Sequence, residues 1–555
     1  MATTGQMSAA SGAQISGANS ERLFAKIMRL CAAVVLVNVA LLAPWWVLSG
    51  GFSPPWLALE AVAIVALFTS FPPKPWVRYV ALAGSVTIMA ATIVGFGEAA
   101  LRLSLGRSLN LYSDIWLLSS VRHLLWGSLG PVLAVAVMVL VSMGLLVVTA
   151  ALAWLLTSLR IDHRVLSGRL SALGLITFLA LGAIAERSPM LGPVLDVPTF
   201  RLVRVQASGL ADIANQKEWF AEALAKFPES YANQPGLMSG LGGRDVVIGF
   251  LESYGVVALY DDRYSPVLGP RLDDLEARVE AAGLHMASGK LVAPSQGGQS
   301  WFAHGSVLSG IWLDNQIRYD MMLSGGRETL IDDFQRAGYR TVAVMPAITA
   351  AWPEGRRFGY DEIFTRDQID YAGPALNWVT MPDQFTWSFL ENTVRASSDQ
   401  PLFVELGLIS SHAPWTPILP VLDDWEEIGD GSRFQEFSQI GERPEELWRD
   451  IDRIREHYAL SVDYAVHTMA AYAERYVDDR TLLIVLGDHQ PAPLITGDGA
   501  SWEVPVHVIS GDRSLVDPFL EWGFVEGAWP DTDPGLETLG VDYFRDWFIR
   551  AYSGS

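Results

Sequence analysis

The sequence predicts a polytopic α-helical membrane domain of about five spans, followed by an outer α/β domain with a mostly parallel sheet. Three observations lead to this expectation. Half of the 555 residues are hydrophobic and the mean hydropathy is +0.25, which is high for a soluble protein and low for a chain made only of spans. The long apolar runs are confined to the first 190 residues. After them, short apolar runs alternate with helical patterns, as in an open sheet covered by helices.

Charge divides the chain in the same way. Residues 1–200 carry 12 Lys and Arg against 7 Asp and Glu, whereas the remainder carries 27 against 54. The acidic part lacks the basic surface that phosphate backbones require, so nucleic acid is excluded as a partner. Cys31 is the single cysteine and lies in an apolar run, which excludes an intrachain disulfide and a cysteine-based site in the outer domain.

The membrane domain is assigned to residues 23–190, after a Ser/Gly/Ala-rich N-terminus, 1–22, that we expect to be disordered. Its apolar runs each approach the roughly 20 residues that span a bilayer. They lie near residues 26–49, 55–72, 76–97, 129–157 and 170–187. The second run is the weakest prediction, because Glu60 lies within it.

Basic residues predict the orientation of these spans. With five spans, all three Lys/Arg clusters fall on one face, and the positive-inside rule makes that face cytoplasmic. The clusters are Arg22, Lys26 and Arg29; Lys74 and Arg78; and Arg160, Arg164 and Arg169. The N-terminus is then cytoplasmic, and everything after about residue 190 lies outside, in a periplasm or at the cell exterior. The membrane part is either a simple anchor or a surface that presents lipid to the outer domain.

The outer domain is predicted to follow a helical linker at 191–240 and to occupy residues 241–555. Non-alternating Val/Ile/Leu runs predict strands buried on both faces. The predicted strands are 245–251, 340–345, 402–409, 481–487 and 504–510, with helices near 270–283, 301–312, 326–337, 383–396, 449–477 and 541–552. In open sheets of this type the active site lies at the C-terminal ends of the strands.

Candidate metal ligands stand at those strand ends. Glu252 follows the first predicted strand, and Asp488 and His489 follow the strand TLLIVLG. Two oxygens and one nitrogen suit Mn²⁺, Zn²⁺ or Mg²⁺ better than a soft metal, and of these three we expect Mn²⁺. His412 follows a third strand, in SSHAPW.

Ser300 offers a candidate nucleophile. The stretch QGGQSWFAHG passes from a glycine-rich turn into a helix at about this residue. A serine there is ordinarily an N-cap, but a metal-activated hydroxyl at a helix N-terminus is also suited to attack a phosphate. Both interpretations are open from the residues alone.

These stretches together resemble the lipoteichoic-acid-synthase and periplasmic-glucan phosphoglycerol-transferase branch of the alkaline phosphatase/sulfatase-like superfamily. VIGFLESYG resembles the strand with the metal-binding Glu, QGGQSW the turn with a Thr nucleophile, and VLGDHQ the Gly-Asp-His metal motif. The resemblance implies a sulfatase-like outer domain and one divalent metal. It implies Glu252, Ser300, Asp488 and His489 as metal ligands, with Ser300 as the catalytic nucleophile.

The resemblance also implies a substrate pocket. SSHAPW resembles the stretch whose His contacts the substrate, which gives His412, and the stretch after RTVAVM gives Trp352. Arg356 is a further phosphate ligand, although the spacing to the following Gly-Tyr-Asp is shorter than in the family. Ser replaces the family's Thr, and His304 replaces an acidic residue; from the sequence we interpret His304 as structural.

The implied function is transfer of a phosphoglycerol-type or other phospho-alcohol headgroup from a phospholipid to an envelope glycan or small alcohol. A metal-dependent phosphodiesterase or phosphatase with water as acceptor uses the same residues, so it stays open. A non-catalytic scaffold for envelope assembly is a third possibility. A true sulfatase is disfavoured, because Trp-Phe-Ala follows Ser300 where formylglycine formation needs a C/S-x-P-x-R context.

Overall fold

A computed structural model of the chain describes residues 5–48, 55–72, 74–159, scattered positions between 173 and 184, 194–226, 231–438, 440–497, 499–531 and 538–554. Residues 1–103 and 107–214 form one compact unit, and residues 104–106 and 215–555 form another. The division at residue 214 lies within the predicted linker.

The helices with described bounds in the N-terminal half are Gly5–Val47, Leu59–Thr69, Val77–Leu105, Leu117–Ser158 and Pro198–Lys226. Three segments in the described part of the chain are long and apolar enough to cross a membrane: Phe24–Val47, Val77–Leu105 and Leu129–Ser158. They correspond to the first, third and fourth predicted spans. The predicted span at 170–187 lies for the most part outside the described residues.

The second apolar run differs from its prediction. It forms the helix Leu59–Thr69, whose 11 residues are too few to span a bilayer by themselves. Glu60 is buried there, and its Oε1 accepts hydrogen bonds from the backbone N–H groups of Thr199 and Phe200, at 3.0 and 3.2 Å. The carboxylate therefore caps the first turn of the helix that begins at Pro198, where a negative charge is favourable.

The N-terminus also differs from its prediction. Residues 5–22, which the composition predicted to be disordered, form the first turns of the helix Gly5–Val47. The same stretch holds four alanines, which favour a helix, together with three glycines and four serines, which do not, so local propensity alone does not explain the helix.

The outer domain is built on an eight-stranded sheet. A short parallel pair, β1 (Leu57–Ala58) and β2 (Leu195–Asp196), lies in the first unit. The sheet strands are β3 (Asp245–Leu251), β4 (His285–Val292), β5 (Arg340–Met345), β6 (Glu362–Thr365), β7 (Leu402–Leu408), β8 (Thr481–Gly487), β9 (Glu503–Ser510) and β10 (Val525–Glu526). Their order is β10-β4-β9-β8-β3-β7-β5-β6. The five strands from β8 to β6 are parallel, while β9, β4 and β10 pair antiparallel at the other side.

Helices cover both faces of this sheet. They are Val257–Tyr260, Ser265–Ala281, Trp301–Ser309, Gln316–Ser324, Leu330–Arg336, Pro353–Phe358, Asp383–Phe389, Pro444–Leu447, Ile451–Tyr476, Pro493–Thr496, Arg513–Glu521 and Phe544–Tyr552. Strand β3 shows how the two cores form, because successive side chains point to opposite faces. Val247 and Leu251 enter one buried cluster, whereas Val246, Ile248 and Phe250 enter the other. A central strand that is buried on both faces fixes the register of its neighbours.

A fully buried ion pair holds the C-terminal helix in this fold. The Arg545 guanidinium binds Asp333, with Nε and Nη2 at 2.9 and 2.8 Å from Oδ2, and neither side chain is more than 1% exposed. Asp333→Asn is therefore expected to lower the free energy of unfolding by about 3–5 kcal/mol, because it leaves a buried charge without its counter-ion. Chemical unfolding of the detergent-solubilised chain measures this. A double substitution, Asp333→Leu with Arg545→Met, should regain most of the loss; equal instability of the single and double variants would contradict the account.

His507 on β9 is buried as a neutral imidazole. Ser288 Oγ donates to the Gly527 carbonyl at 2.7 Å, so His507 Nδ1–H donates to Ser288 Oγ and Nε2 accepts from the Tyr254 hydroxyl. Burial lowers the pKa of His507 from its ordinary 6.5 to about 3.

This burial predicts an acid-sensitive fold. Between pH 6.5 and about 3, His507 is protonated in the unfolded chain but neutral in the folded chain. The free energy of unfolding therefore falls as pH falls, by up to about 1.4 kcal/mol per pH unit. Across this range, the slope of the unfolding free energy against pH should be smaller in His507→Gln than in the wild type. The difference should correspond to about one bound proton. Equal slopes would mean that His507 is protonated in the folded chain.

Candidate active site

Two neighbouring parallel strands bring three of the predicted metal ligands to one edge of the sheet. Glu252 directly follows β3, and Asp488 and His489 directly follow the neighbouring strand β8. Gly487 allows this approach, because a Cβ at that position would lie 1.9 Å from the carbonyl oxygen of Tyr254. The crowding explains why glycine precedes the Asp-His pair.

One ligand atom from each of Glu252, Asp488 and His489 lies within 4.8 Å of the others. His489 Nε2 is 3.4 Å from Glu252 Oε1 and 3.5 Å from Asp488 Oδ2. These separations are too long for good hydrogen bonds, whereas atoms that share one divalent ion at ~2.1 Å stand roughly 3–3.5 Å apart. The spacing therefore fits a common cation better than mutual hydrogen bonding.

The ligand atoms are oriented by their other bonds. His489 Nδ1–H donates to the Gln490 carbonyl at 2.9 Å, which leaves the lone pair of Nε2 directed at the carboxylates. Asp488 Oδ1 accepts the backbone N–H groups of His489 and Ser253, at 2.6 and 2.8 Å, which leaves Oδ2 for a ligand. The donor set of two carboxylates and one imidazole can hold a divalent metal ion.

The charges of the cluster match this role. Burial and the neighbouring Glu252 raise the pKa of Asp488 to about 6. Burial alone would also raise the pKa of Glu252, but His412 and His489 outweigh it and hold that pKa below its ordinary value. Two adjacent buried carboxylates repel each other, and a divalent cation between them removes this repulsion.

Ser300 joins the cluster through its side chain. The helix Trp301–Ser309 begins after a turn in which Gly297, Gly298 and Gln299 all have positive φ. Ser300 makes no side-chain capping bond to this helix. Its Oγ lies instead 3.4 Å from Glu252 Oε2 and 3.3 Å from His489 Nε2. The interpretation of Ser300 as an ordinary N-cap therefore has no support in this geometry.

Two serines that the sequence did not single out support the ligands. Ser253 has a left-handed backbone, with φ of 56°, and its Oγ donates to Glu252 Oε1 at 2.9 Å. Ser411 Oγ donates to the Glu252 carbonyl at 2.5 Å. Ser253 lies in LESYG, next to Glu252, and Ser411 lies in SSHAPW, next to His412. Their places beside these two predicted site residues were the only sequence signal that could have identified them.

The predicted substrate-binding residues have fewer contacts that connect them to the metal-ligand cluster. His412 is exposed after β7, and it is the first of the two histidines that lower the pKa of Glu252. Trp352 is half-buried after β5, with its ring 6.5 Å from that of Tyr360. Arg356 lies exposed on the helix Pro353–Phe358, and among the described residues no hydrogen bond or ion pair joins it to the cluster. Its role as a phosphate ligand stays a prediction.

Comparisons with known proteins agree with this architecture. Residues 313–504 match the sulfatase family model. No curated protein matches the chain. The matched segment, residues 313–504, contains His412, Trp352, Asp488 and His489, whereas Glu252 and Ser300 lie before it. The match agrees with the prediction of a sulfatase-like outer domain.

Several solved structures are similar to the chain at low identity. The lipoteichoic acid synthase LtaP from Listeria monocytogenes is 14% identical, with a TM-score of 0.34; the similarity covers 48% of this chain and 65% of that protein. The integral membrane lipooligosaccharide phosphoethanolamine transferase A from Neisseria meningitidis is 12% identical over 89% of this chain and 95% of that one, with a TM-score of 0.39. The chain thus spans slightly less than two thirds of LtaP.

Proposed function

Since the outer part of this chain carries a sulfatase-family domain, we propose that the protein is a membrane-anchored, metal-dependent phosphotransferase with Ser300 as its nucleophile. It moves a phosphoglycerol-type or other phospho-alcohol headgroup from a phospholipid to an envelope glycan or small alcohol. The single observation that carries this proposal is the direction of Ser300 Oγ, which faces Glu252 and His489 instead of capping its own helix.

The first step makes a phosphoserine ester. Ser300 Oγ attacks phosphorus and loses its proton, and the headgroup phosphate stays on the serine. The bond from phosphorus to the diacylglycerol oxygen breaks, and that oxygen takes the electron pair and a proton and leaves as the free alcohol. A bound divalent ion, for which we favour Mn²⁺ over Mg²⁺ or Zn²⁺, supplies Lewis-acid polarisation of the phosphodiester and lowers the pKa of the Ser300 hydroxyl. His412 stabilises charge on the equatorial oxygens. The helix Trp301–Ser309 begins directly after Ser300, so the positive end of its dipole also favours a phosphate on this serine.

The second step releases the enzyme. A hydroxyl group of the acceptor attacks the phosphoserine, the bond from phosphorus to Ser300 Oγ breaks, and the serine returns to its starting state. We place this chemistry outside the cytoplasmic membrane, with the N-terminus in the cytoplasm, because the basic clusters of the sequence favour that orientation. The apolar helices keep the domain near its lipid donor.

A hydrolase differs from this transferase only in the acceptor. Incubating the purified full-length chain with headgroup-labelled phospholipid vesicles, with and without added oligosaccharide or glycerol, separates the two functions. The transferase predicts a labelled phosphodiester product whose yield rises with the added alcohol. Free headgroup phosphate as the only product at every alcohol concentration would identify a phosphodiesterase instead.

A further inference from the structure

Glu405 is a carboxylate in the middle of a buried strand. It lies on β7 with its side chain 2% exposed, where an ionised group is costly unless it is paired. The described residues supply two partners. His304 Nδ1 lies 2.7 Å from Oε1, and the Tyr360 hydroxyl donates to Oε2. A buried carboxylate that is hydrogen-bonded to a histidine near a candidate active site often has a functional role.

His304 is held on the same side of its helix as Ser300. It follows the nucleophile by four residues on the helix Trp301–Ser309, so the two side chains share a face, and helical side chains lean towards the N-terminus. Its ring stacks on Phe250 of β3, with centroids 3.8 Å apart and planes 19° apart. Stacking and the Glu405 bond together fix the imidazole in one orientation.

This orientation determines which nitrogen is free. A carboxylate only accepts, so the proton lies on Nδ1 and the lone pair on Nε2. No described residue hydrogen-bonds to Nε2, and the side chain retains 17% exposure. Phe250, on which the ring stacks, precedes Glu252 by two residues, so His304 lies close to the strand end that carries the candidate metal ligands.

We propose that His304 Nε2 binds the hydroxyl group that attacks the phosphorylated Ser300, with Glu405 and Tyr360 as positioning residues. This role rests on the proposed function. As the acceptor oxygen forms its bond to phosphorus, the bond from phosphorus to Ser300 Oγ breaks, the serine oxygen takes that electron pair, and the acceptor proton passes to Nε2. Trp352, predicted to line the substrate pocket, lies beside Tyr360 at the other end of this network.

Two substitutions separate this role from a structural one. The amide of His304→Asn can replace Nδ1 and keep the bond to Glu405, but it has nothing at the place of Nε2. The amide of His304→Gln reaches that place instead. We expect His304→Asn to lower transfer about 100-fold, the scale of a lost general base, and to accumulate headgroup phosphate on Ser300. His304→Gln should retain more activity than His304→Asn, although its bond to Glu405 is lost.

The measurement uses the full-length chain in vesicles of labelled phospholipid, with turnover followed by product release and the adduct by intact mass. Bound metal and melting temperature are recorded for each variant. His304→Asn turning over within twofold of the wild type, or losing activity without adduct, would overturn the role of His304 while leaving the proposed function intact. A wild-type chain that forms neither product nor adduct would overturn both.

Discussion

Ser300→Ala is expected to abolish headgroup release while the chain stays folded. The expected loss is ~10⁴-fold or more, because removing a nucleophile that works with its activating groups leaves only binding and electrostatic stabilisation. Phospholipid vesicles with a labelled headgroup, incubated with the full-length chain, measure the rate. The expectation rests on the position of Ser300 Oγ, which lies 3.4 Å from Glu252 Oε2 and 3.3 Å from His489 Nε2.

Ser309 provides a matched control on the same helix. Its Oγ donates to the Gly305 carbonyl at 2.6 Å and is buried away from the cluster. Ser309→Ala should therefore alter stability slightly and turnover by less than threefold. Equal losses in the two variants would show that serine-to-alanine changes act through the helix and that Ser300 has no special chemical role.

Glu252→Gln is expected to abolish metal binding and, as a consequence, headgroup transfer. The substitution keeps the shape of the side chain and a hydrogen-bond acceptor for Ser253, but it removes one of two anionic ligands. Changes outside the ligand set already cost 10–100-fold in affinity, so loss of a ligand should weaken metal binding by at least about 100-fold. Elemental analysis of the purified chain, with titration of Mn²⁺, Mg²⁺ and Zn²⁺ after chelation, measures the affinity and identifies the metal.

Glu280→Gln is the control for this experiment, because Glu280 is exposed at the end of the helix Ser265–Ala281. It should bind metal like the wild type. If Glu252→Gln also retained stoichiometric metal with unchanged affinity, the ion would be held elsewhere, and the cluster of Glu252, Asp488 and His489 would be a hydrogen-bonded group without a cation.

Hydropathy patterns predicted the central strands and failed at the margins of the sheet. Strands β3, β5, β7 and β8 are continuous apolar runs that are buried on both faces, and all four were predicted within one residue. Strand β4 was missed because HMASGKLV carries a glycine and a lysine in its middle. Strand β9 was predicted, but its antiparallel direction comes from pairing with β4 and β8, which no local pattern encodes.

In the candidate site, too, some residues could be identified from their local sequence and others only from the tertiary structure. Glu252, Asp488 and His489 could be predicted because each directly follows a buried strand, and parallel strands end at one edge. The direction of the Ser300 side chain could not, since a nucleophile and an N-cap occupy the same place in sequence. Glu405 was hidden for another reason: it lies inside an apolar strand, and only the packed structure places His304 and Tyr360 against it.

The most direct test of the central claim is to locate the covalent phosphate. The full-length chain would be reacted with headgroup-labelled phospholipid, quenched in acid and digested, and the labelled peptide would be sequenced alongside a measurement of bound metal. The expected result is stoichiometric metal and a phosphoester on Ser300, with no phosphoester when the metal is chelated before the reaction. Label on a different residue, or headgroup release by a metal-free chain with no labelled peptide, would contradict the assignment of this site.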